Sequence, residues 1–224
     1  KCEPKFNHGE AVAVGILIAC RIATRLGLMR EEDNPFHRRR IGHKPFRHTH
    51  LTSLEVEKLE RAPLPQPLLQ VRDAFLFCCY TGLRYSDFVR LTTANIQRGS
   101  VHTWIHLTSH KTGAEVHLPI DLLFGGKALH LINVYSDNLT AFFGLAANST
   151  VDKQLLAIAR HAELRKHFSF HSARHTNATL LLSQGVSVTT VQKLLGHKNV
   201  RTTMNYCEVI DRTVIKELQK SRKR

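Results

Sequence analysis

The run LLQVRDAFLFCCY, Leu68 to Tyr80, is apolar except at Gln70, Arg72 and Asp73, and it stops abruptly at Thr81 and Gly82. Its length and its glycine stop predict a helix. Cys78 and Cys79 act inside such a run as small hydrophobes. With 42% hydrophobic residues the chain has enough apolar material for a real core. Wholesale disorder is excluded on that ground.

The segments around this helix predict a mainly α protein with a small antiparallel β-sheet, an α+β class. LTSLEVEKLE reads as a helix start, with Thr52 or Ser53 as cap and Glu55 or Glu57 in the first turn. SDFVRL reads as a short helix opening on a serine-aspartate cap. WIHLTSHKTGAEVHLPI switches to strand patterning, Trp104 to Thr108 and Glu115 to Ile120, around a polar turn ending in Gly113. From Val151 onward helices dominate, with stops at Gly185 and Gly196. Ala11 to Leu28 is helical and stops at Gly27 or just after. The proline- and charge-rich stretch from Asn34 to His48 reads as a linker. The predicted organisation is an N-terminal helical appendage over residues 1–33, a basic linker over 34–50, and a main domain over 51–224.

Lys and Arg number 32 against 18 Asp and Glu, a formal charge of +14. Such an excess makes polyanions, nucleic acid or an anionic membrane face, the leading partners. Arg38, Arg39, Arg40 and Lys44 form one basic group and Ser221 to Arg224 another. Five cysteines without CxxC spacing suit a reducing, intracellular setting. The apolar run Ala11 to Cys20 is about half a membrane span, so no membrane role is expected. Fifteen histidines raise the question of a metal, yet no HExxH, paired CxxC or His-carboxylate triad occurs. No metal and no other cofactor is expected.

Four separated places carry polar residues that packing does not explain. TGLRYSD puts Arg84 after a glycine break, and SHKTG puts Lys111 at the hairpin tip. HSARHT spaces His171 and Arg174 for one helical face. LLGHKNVRTTMNY sets His197 behind a helix stop and Tyr206 at the end of the next helix. Each alone has an ordinary explanation. Arg84 could pair with Asp87, Lys111 could be a solvated turn residue, His171 and His197 could cap helices, and Tyr206 could be a core aromatic.

Together, in this order, TGLRYSD, SHKTGAEVHLP, FHSARHTNATLLLSQG and VQKLLGHKNVRTTMNYCEV resemble the tyrosine recombinase (phage integrase) family, from about Asn34 to the C-terminus. The likeness is to integrases of bacterial mobile elements. It implies the DNA breaking-rejoining catalytic fold, duplex DNA as partner, and cleavage and rejoining of strands through a 3′-phosphotyrosyl intermediate without ATP or metal. It places the active set on Arg84, Lys111, His171, Arg174, His197 and Tyr206, with Asp87 in support. Lys198 and Arg201 join the basic linker residues as expected DNA contacts.

The chemistry gives each residue a task. Arg84 and Arg174 clamp the non-bridging phosphate oxygens. Tyr206, whose phenol is only ~0.1% ionised at neutral pH, needs a base or nearby positive charge from His171 and the arginines. Lys111 protonates the leaving 5′-oxygen, and His197 binds a phosphate oxygen. The resemblance further implies self-association on DNA as a tetramer, accessory DNA-bending proteins, and a cytoplasmic, nucleoid-associated location. The alternatives are type IB topoisomerase-like relaxation by the same chemistry, or a DNA-binding fragment that does not catalyse.

Asn7 to Met29, NHGEAVAVGILIACRIATRLGLM, has no counterpart in recombinases at this position. It resembles a segment of 3-dehydroquinate synthase in which His8 would match a zinc-ligand histidine. One histidine cannot hold a catalytic zinc, which takes three protein ligands. Residues 1–33 therefore read as a composite N-terminus, too short for the N-terminal DNA-clamping domain usual in recombinases.

Overall fold

A computed structural model describes residues 8–35 and 49–206. They fall into two compact units, one within residues 1–47 and one within 48–224. In the first, α1 (His8–Arg25) is followed by a 3-10 turn at Glu31–Asp33. Gly27 (φ 70°) turns the chain out of the helix, and the Leu28 N–H closes on the Ala23 carbonyl at 2.9 Å. Arg38, Arg39, Arg40 and Lys44 lie outside the described residues, as does everything beyond Tyr206.

The second unit opens with α2 (Ser53–Arg61). Thr52, not Ser53, is its cap, and Thr52 and Glu55 close a reciprocal capping box. α3 (Gln66–Thr81) is the predicted apolar helix, and it is buried continuously from Ala74 to Thr81. α4 (Tyr85–Phe88) is one turn long. Its N-cap is Arg84 and makes no side-chain cap bond, so the expected serine-aspartate cap does not form. Asp87 is committed elsewhere, as shown below.

β1 (Ile96–Arg98), β2 (Thr103–Thr108) and β3 (Glu115–Pro119) form an antiparallel meander in the order β1-β2-β3. The predicted hairpin is β2–β3, with His106 opposite His117 and Thr108 opposite Glu115. β1 is an addition to the sequence reading. Asp121 anchors the far end of the hairpin by accepting from the Thr103 N–H (3.0 Å) and pairing with His102 Nδ1 (2.7 Å).

Then come α5 (Lys127–Val134), α6 (Leu139–Phe143), α7 (Asn148–His161), α8 (His171–Ser183), α9 (Val188–Leu195) and α10 (Val200–Met204). α3 runs through the middle, against α2, α5, α7 and α8. An aromatic cluster fills the core beside it. Phe77 lies 5.6 Å from Phe88 and 5.9 Å from Phe142, and Phe75 meets Phe170 edge-on at 5.8 Å. Removing one such buried ring costs about 3–5 kcal/mol. This packing sets the positions of the α3–α4 turn and the start of α8.

Candidate active site

α3 ends at Gly82 in the left-handed conformation (φ 73°), its N–H bonded to the Cys78 carbonyl at 2.9 Å. A Cβ at this position would lie 2.5 Å from Leu195 Cδ2 and 2.8 Å from Asn177 Oδ1. Only a glycine lets α8 and the end of α9 come this close. Asn177 secures the approach by donating to the Cys79 carbonyl (2.9 Å).

Two residues past this turn the chain delivers Arg84, whose side chain is 16% exposed. Its Nη1 donates to Ser109 Oγ at 3.1 Å and stands 3.8 Å from Asp87 Oδ2. Asp87 is buried and accepts from Ser109 Oγ (3.1 Å) and from the His110 N–H (2.8 Å). One carboxylate therefore ties α4, Arg84 and the beginning of the β2–β3 turn together. Lys111 follows His110 in that turn with its side chain exposed.

Arg174 is buried one turn into α8, at 4% exposure. Its Nη1 donates to the Gly82 carbonyl (2.8 Å) and its Nη2 to the Leu195 carbonyl (2.5 Å). These two bonds fix the plane of the guanidinium and leave the rest of its five N–H donors for another acceptor. Among the described residues it forms no ion pair. Burial, with the charge of Arg84, pushes its pKa down to about 10, so it remains a cation at neutral pH. Two guanidiniums whose charges oppose each other make a site that favours an anion.

α9 closes on Gly196 (φ 62°), where a Cβ would lie 2.8 Å from Val116 Cγ2 on β3. His197 follows directly, its Nδ1 2.9 Å from the Oγ1 of the fully buried Thr203. Burial, then Arg174 and Arg84, push the His197 pKa down to about 4. The imidazole is neutral at pH 7, and its Nδ1 bond with Thr203 Oγ1 leaves Nε2 as the nitrogen for a further partner. The Tyr206 ring lies parallel to that of His197, centroids 6.2 Å apart at 12°. Tyr206 sits two residues past the end of α10, in a turn rather than in the helix as expected, its N–H on the Thr203 carbonyl (3.0 Å). Burial raises the Tyr206 pKa above its ordinary value, against the opposing pull of Arg174 and Arg84.

His171 is the first residue of α8 and is exposed. Its ring meets that of His175 edge-on at 4.6 Å, and His175 in turn lies 5.1 Å from the ring of Tyr206. The fold thus gathers Arg84, Arg174, His197 and Tyr206 around the Gly82 turn. His171 is joined to them through His175, and Lys111 through the hold of Asp87 on its turn. Lys198 and Arg201 are exposed beside His197 and on α10. Sequence reasoning missed His175, Ser109 and Thr203. His175 carried a signal, being one residue from Arg174 and a full turn from His171. Among the described residues no three His, Cys, Asp or Glu side chains cluster as a metal site, and no helix is long and apolar enough to cross a membrane.

Residues 49–212 match the model of the phage integrase family. The chain is 29% identical over 168 residues to a tyrosine recombinase of Thermosipho africanus, covering 72% of this chain and 57% of that protein. It is 32% identical over 177 residues to tyrosine recombinase XerD of Vibrio cholerae, with 71% and 56% covered. The chain spans a little over half the length of these relatives. Among solved structures, a lambda integrase tetramer bound to a Holliday junction superimposes with a TM-score of 0.65 at 21% identity, over 88% of this chain and 57% of that one. XerA recombinase does so with 0.60 at 20% identity, over 93% and 75%. These structures carry the same mainly helical fold with a small antiparallel sheet. The family model takes in all four motifs and more than two thirds of the residues, and the chain belongs to the phage integrase family.

Proposed function

We propose that residues 51–224 are the catalytic domain of a site-specific DNA recombinase that cleaves and rejoins strands through Tyr206. The observation that carries this reading is the convergence of two guanidiniums, a neutral imidazole and a phenol on the Gly82 turn. A phosphodiester is the ligand whose chemistry needs that set. Its charge grows on the non-bridging oxygens during attack, where Arg84 and Arg174 can meet it with planar, charge-assisted bonds. His197 donates from Nε2 to one of the same oxygens.

Tyr206 Oη attacks phosphorus and the P–O5′ bond breaks, leaving a 3′-phosphotyrosyl link and a free 5′-hydroxyl. The phenolic proton goes to His171, and Lys111 gives a proton to the departing O5′. Reversal with a new 5′-hydroxyl rejoins the strand, so no ATP is consumed. The raised pKa of Tyr206 keeps the nucleophile protonated until the phosphate and the base are in place.

Duplex DNA is the partner, held in part by Lys198 and Arg201 and by the basic residues Arg38, Arg39, Arg40 and Lys44. Self-association on DNA follows the family pattern and is supported by relatives solved as a dimer on a core site and as a tetramer on a Holliday junction. Accessory DNA-bending proteins and a nucleoid-associated location complete the reading. Residues 1–33 are a composite appendage and 34–50 a basic linker. The test is a nicked suicide DNA substrate, on which the protein forms a denaturant-stable adduct. Tyr206→Phe keeps DNA binding and loses the adduct. An adduct of ordinary yield in that variant removes Tyr206 from the reaction.

A further inference from the structure

We propose that His106 and His117 form a binding site for a borderline divalent cation, of the zinc or nickel type, on the open face of the small sheet. The two residues are direct cross-strand partners in the β2–β3 register. Their Nδ1 atoms face each other at 2.5 Å, with the rings edge-on at 4.5 Å. Both side chains leave the sheet on the face opposite the buried Ile105, Val116 and Leu118. Strand alternation also puts Glu115, two residues from His117, on that face, its Oε2 3.7 Å from His117 Nε2.

Without a cation, the two rings can only hydrogen-bond each other, one nitrogen donating and the other accepting. A tetrahedral cation with M–N bonds of about 2.0–2.1 Å spaces two ligand nitrogens by roughly 3.3 Å. That requires an opening of less than 1 Å, within reach of small χ1 and χ2 changes in side chains on a solvated face. Imidazole suits zinc, nickel and copper, whereas magnesium and calcium prefer oxygen. Two protein nitrogens leave the remaining positions for water, while Glu115 stays on the Nε2 side of the His117 ring. The backbone needs no rearrangement, because strand pairing already fixes the register.

None of the six residues of the proposed active constellation belongs to this site. The bound ion would bridge the two strands whose connecting turn is held by Asp87. Its effect is therefore on hairpin rigidity and not on phosphoryl transfer itself.

The experiment titrates the full chain, freed of metal, with zinc chloride in a calorimeter, beside His106→Gln, His117→Gln and the control His130→Gln on α5. The expected result is one binding event in the parent and the control that weakens at least tenfold in each of the other two variants. Identical titrations in all four proteins overturn the proposal. A measurement needing no variant guards against misfolding. Substoichiometric copper(II) should broaden the imidazole proton resonances of His106 and His117 before that of His130. Uniform broadening of all histidines counts against the site.

Discussion

The guanidinium of Arg174 hydrogen-bonds the carbonyl of Gly82 at 2.8 Å, so the residue proposed to clamp the phosphate is held by the turn that leads into Arg84. One turn thus carries a contact of Arg174 and leads, two residues on, into Arg84, whose side chain is held by Ser109 and Asp87.

Gly82→Ala tests this. The added Cβ would meet Leu195 Cδ2 at 2.5 Å and Asn177 Oδ1 at 2.8 Å, at a φ of +73° that alanine adopts at a cost. Left-handed strain and overpacking each cost about 1–3 kcal/mol. We expect a lower melting temperature together with at least a tenfold fall in adduct yield measured well below that temperature. A variant that melts lower but cleaves at the parental rate would break the link between this turn and the arginines.

How far the chain was legible follows from the range of the forces involved. Thr52 with Glu55, and the glycine stops at 82 and 196, act over three or four residues, and all appear where the sequence puts them. β1 went unread because three residues are too few to show alternation. α5 went unread too, because Phe124 (φ 49°), Gly125 and Gly126 look like a loop while the chain turns through them into a helix. The candidate active residues and their support Asp87 were legible as motifs, but Ser109, His175 and Thr203 were not. Ser109 reaches Asp87 across 22 residues, and His175 meets Tyr206 across an interval no local pattern spans. Local chemistry is written in the sequence, and convergence is written in the packing.

His197 gives a pH prediction. Its pKa falls from 6.5 to about 4 on folding, because burial and the two arginines oppose its charge. Between those values the unfolded chain binds a proton that the folded one refuses, so stability is lost as pH drops from 6.5 towards 4. The loss is softened by the partial exposure of the ring. His197→Asn should flatten the fall of melting temperature over this window, measured by calorimetry at several pH values. A parallel decline in both proteins would mean that His197 is not the group refusing the proton.

The His175 ring lies between those of His171 and Tyr206, at 4.6 and 5.1 Å, and we expect it to act as a positioning residue. If it acts by shape, His175→Phe keeps most of the adduct yield while His175→Ala lowers it about tenfold. A role confined to packing would lower stability in the alanine variant and leave the pH profile of cleavage unchanged. Displacement of the base near Tyr206 would instead move that profile, because the phenol's raised pKa makes its deprotonation sensitive to what lies beside it. Equal loss in the phenylalanine and alanine variants would show that the imidazole nitrogens, and not the ring shape, are required.

Lys111 is exposed in a turn that Asp87 holds through the His110 N–H and the Ser109 hydroxyl. This geometry fits a proton donor that swings onto the leaving oxygen once DNA is bound. The reading separates leaving-group protonation from phosphate stabilisation, and the substrate can be altered to match. An alkoxide leaves poorly without a proton, whereas a thiol with pKa near 8.5 leaves readily as its anion. Lys111→Ala should therefore slow adduct formation on ordinary DNA by about 10²–10⁴, the usual worth of a positioned acid. On DNA carrying sulfur in place of the bridging 5′-oxygen it should cleave at close to the parental rate. Arg174→Ala should stay slow on both substrates, because the charge on the non-bridging oxygens is the same in each. Asp87→Asn should fall between them, with the sulfur substrate recovering only that part of its loss that comes from the Lys111 turn. A Lys111→Ala defect that persists undiminished on the sulfur substrate would assign the lysine to phosphate binding, and the proton for O5′ would have to come from another group.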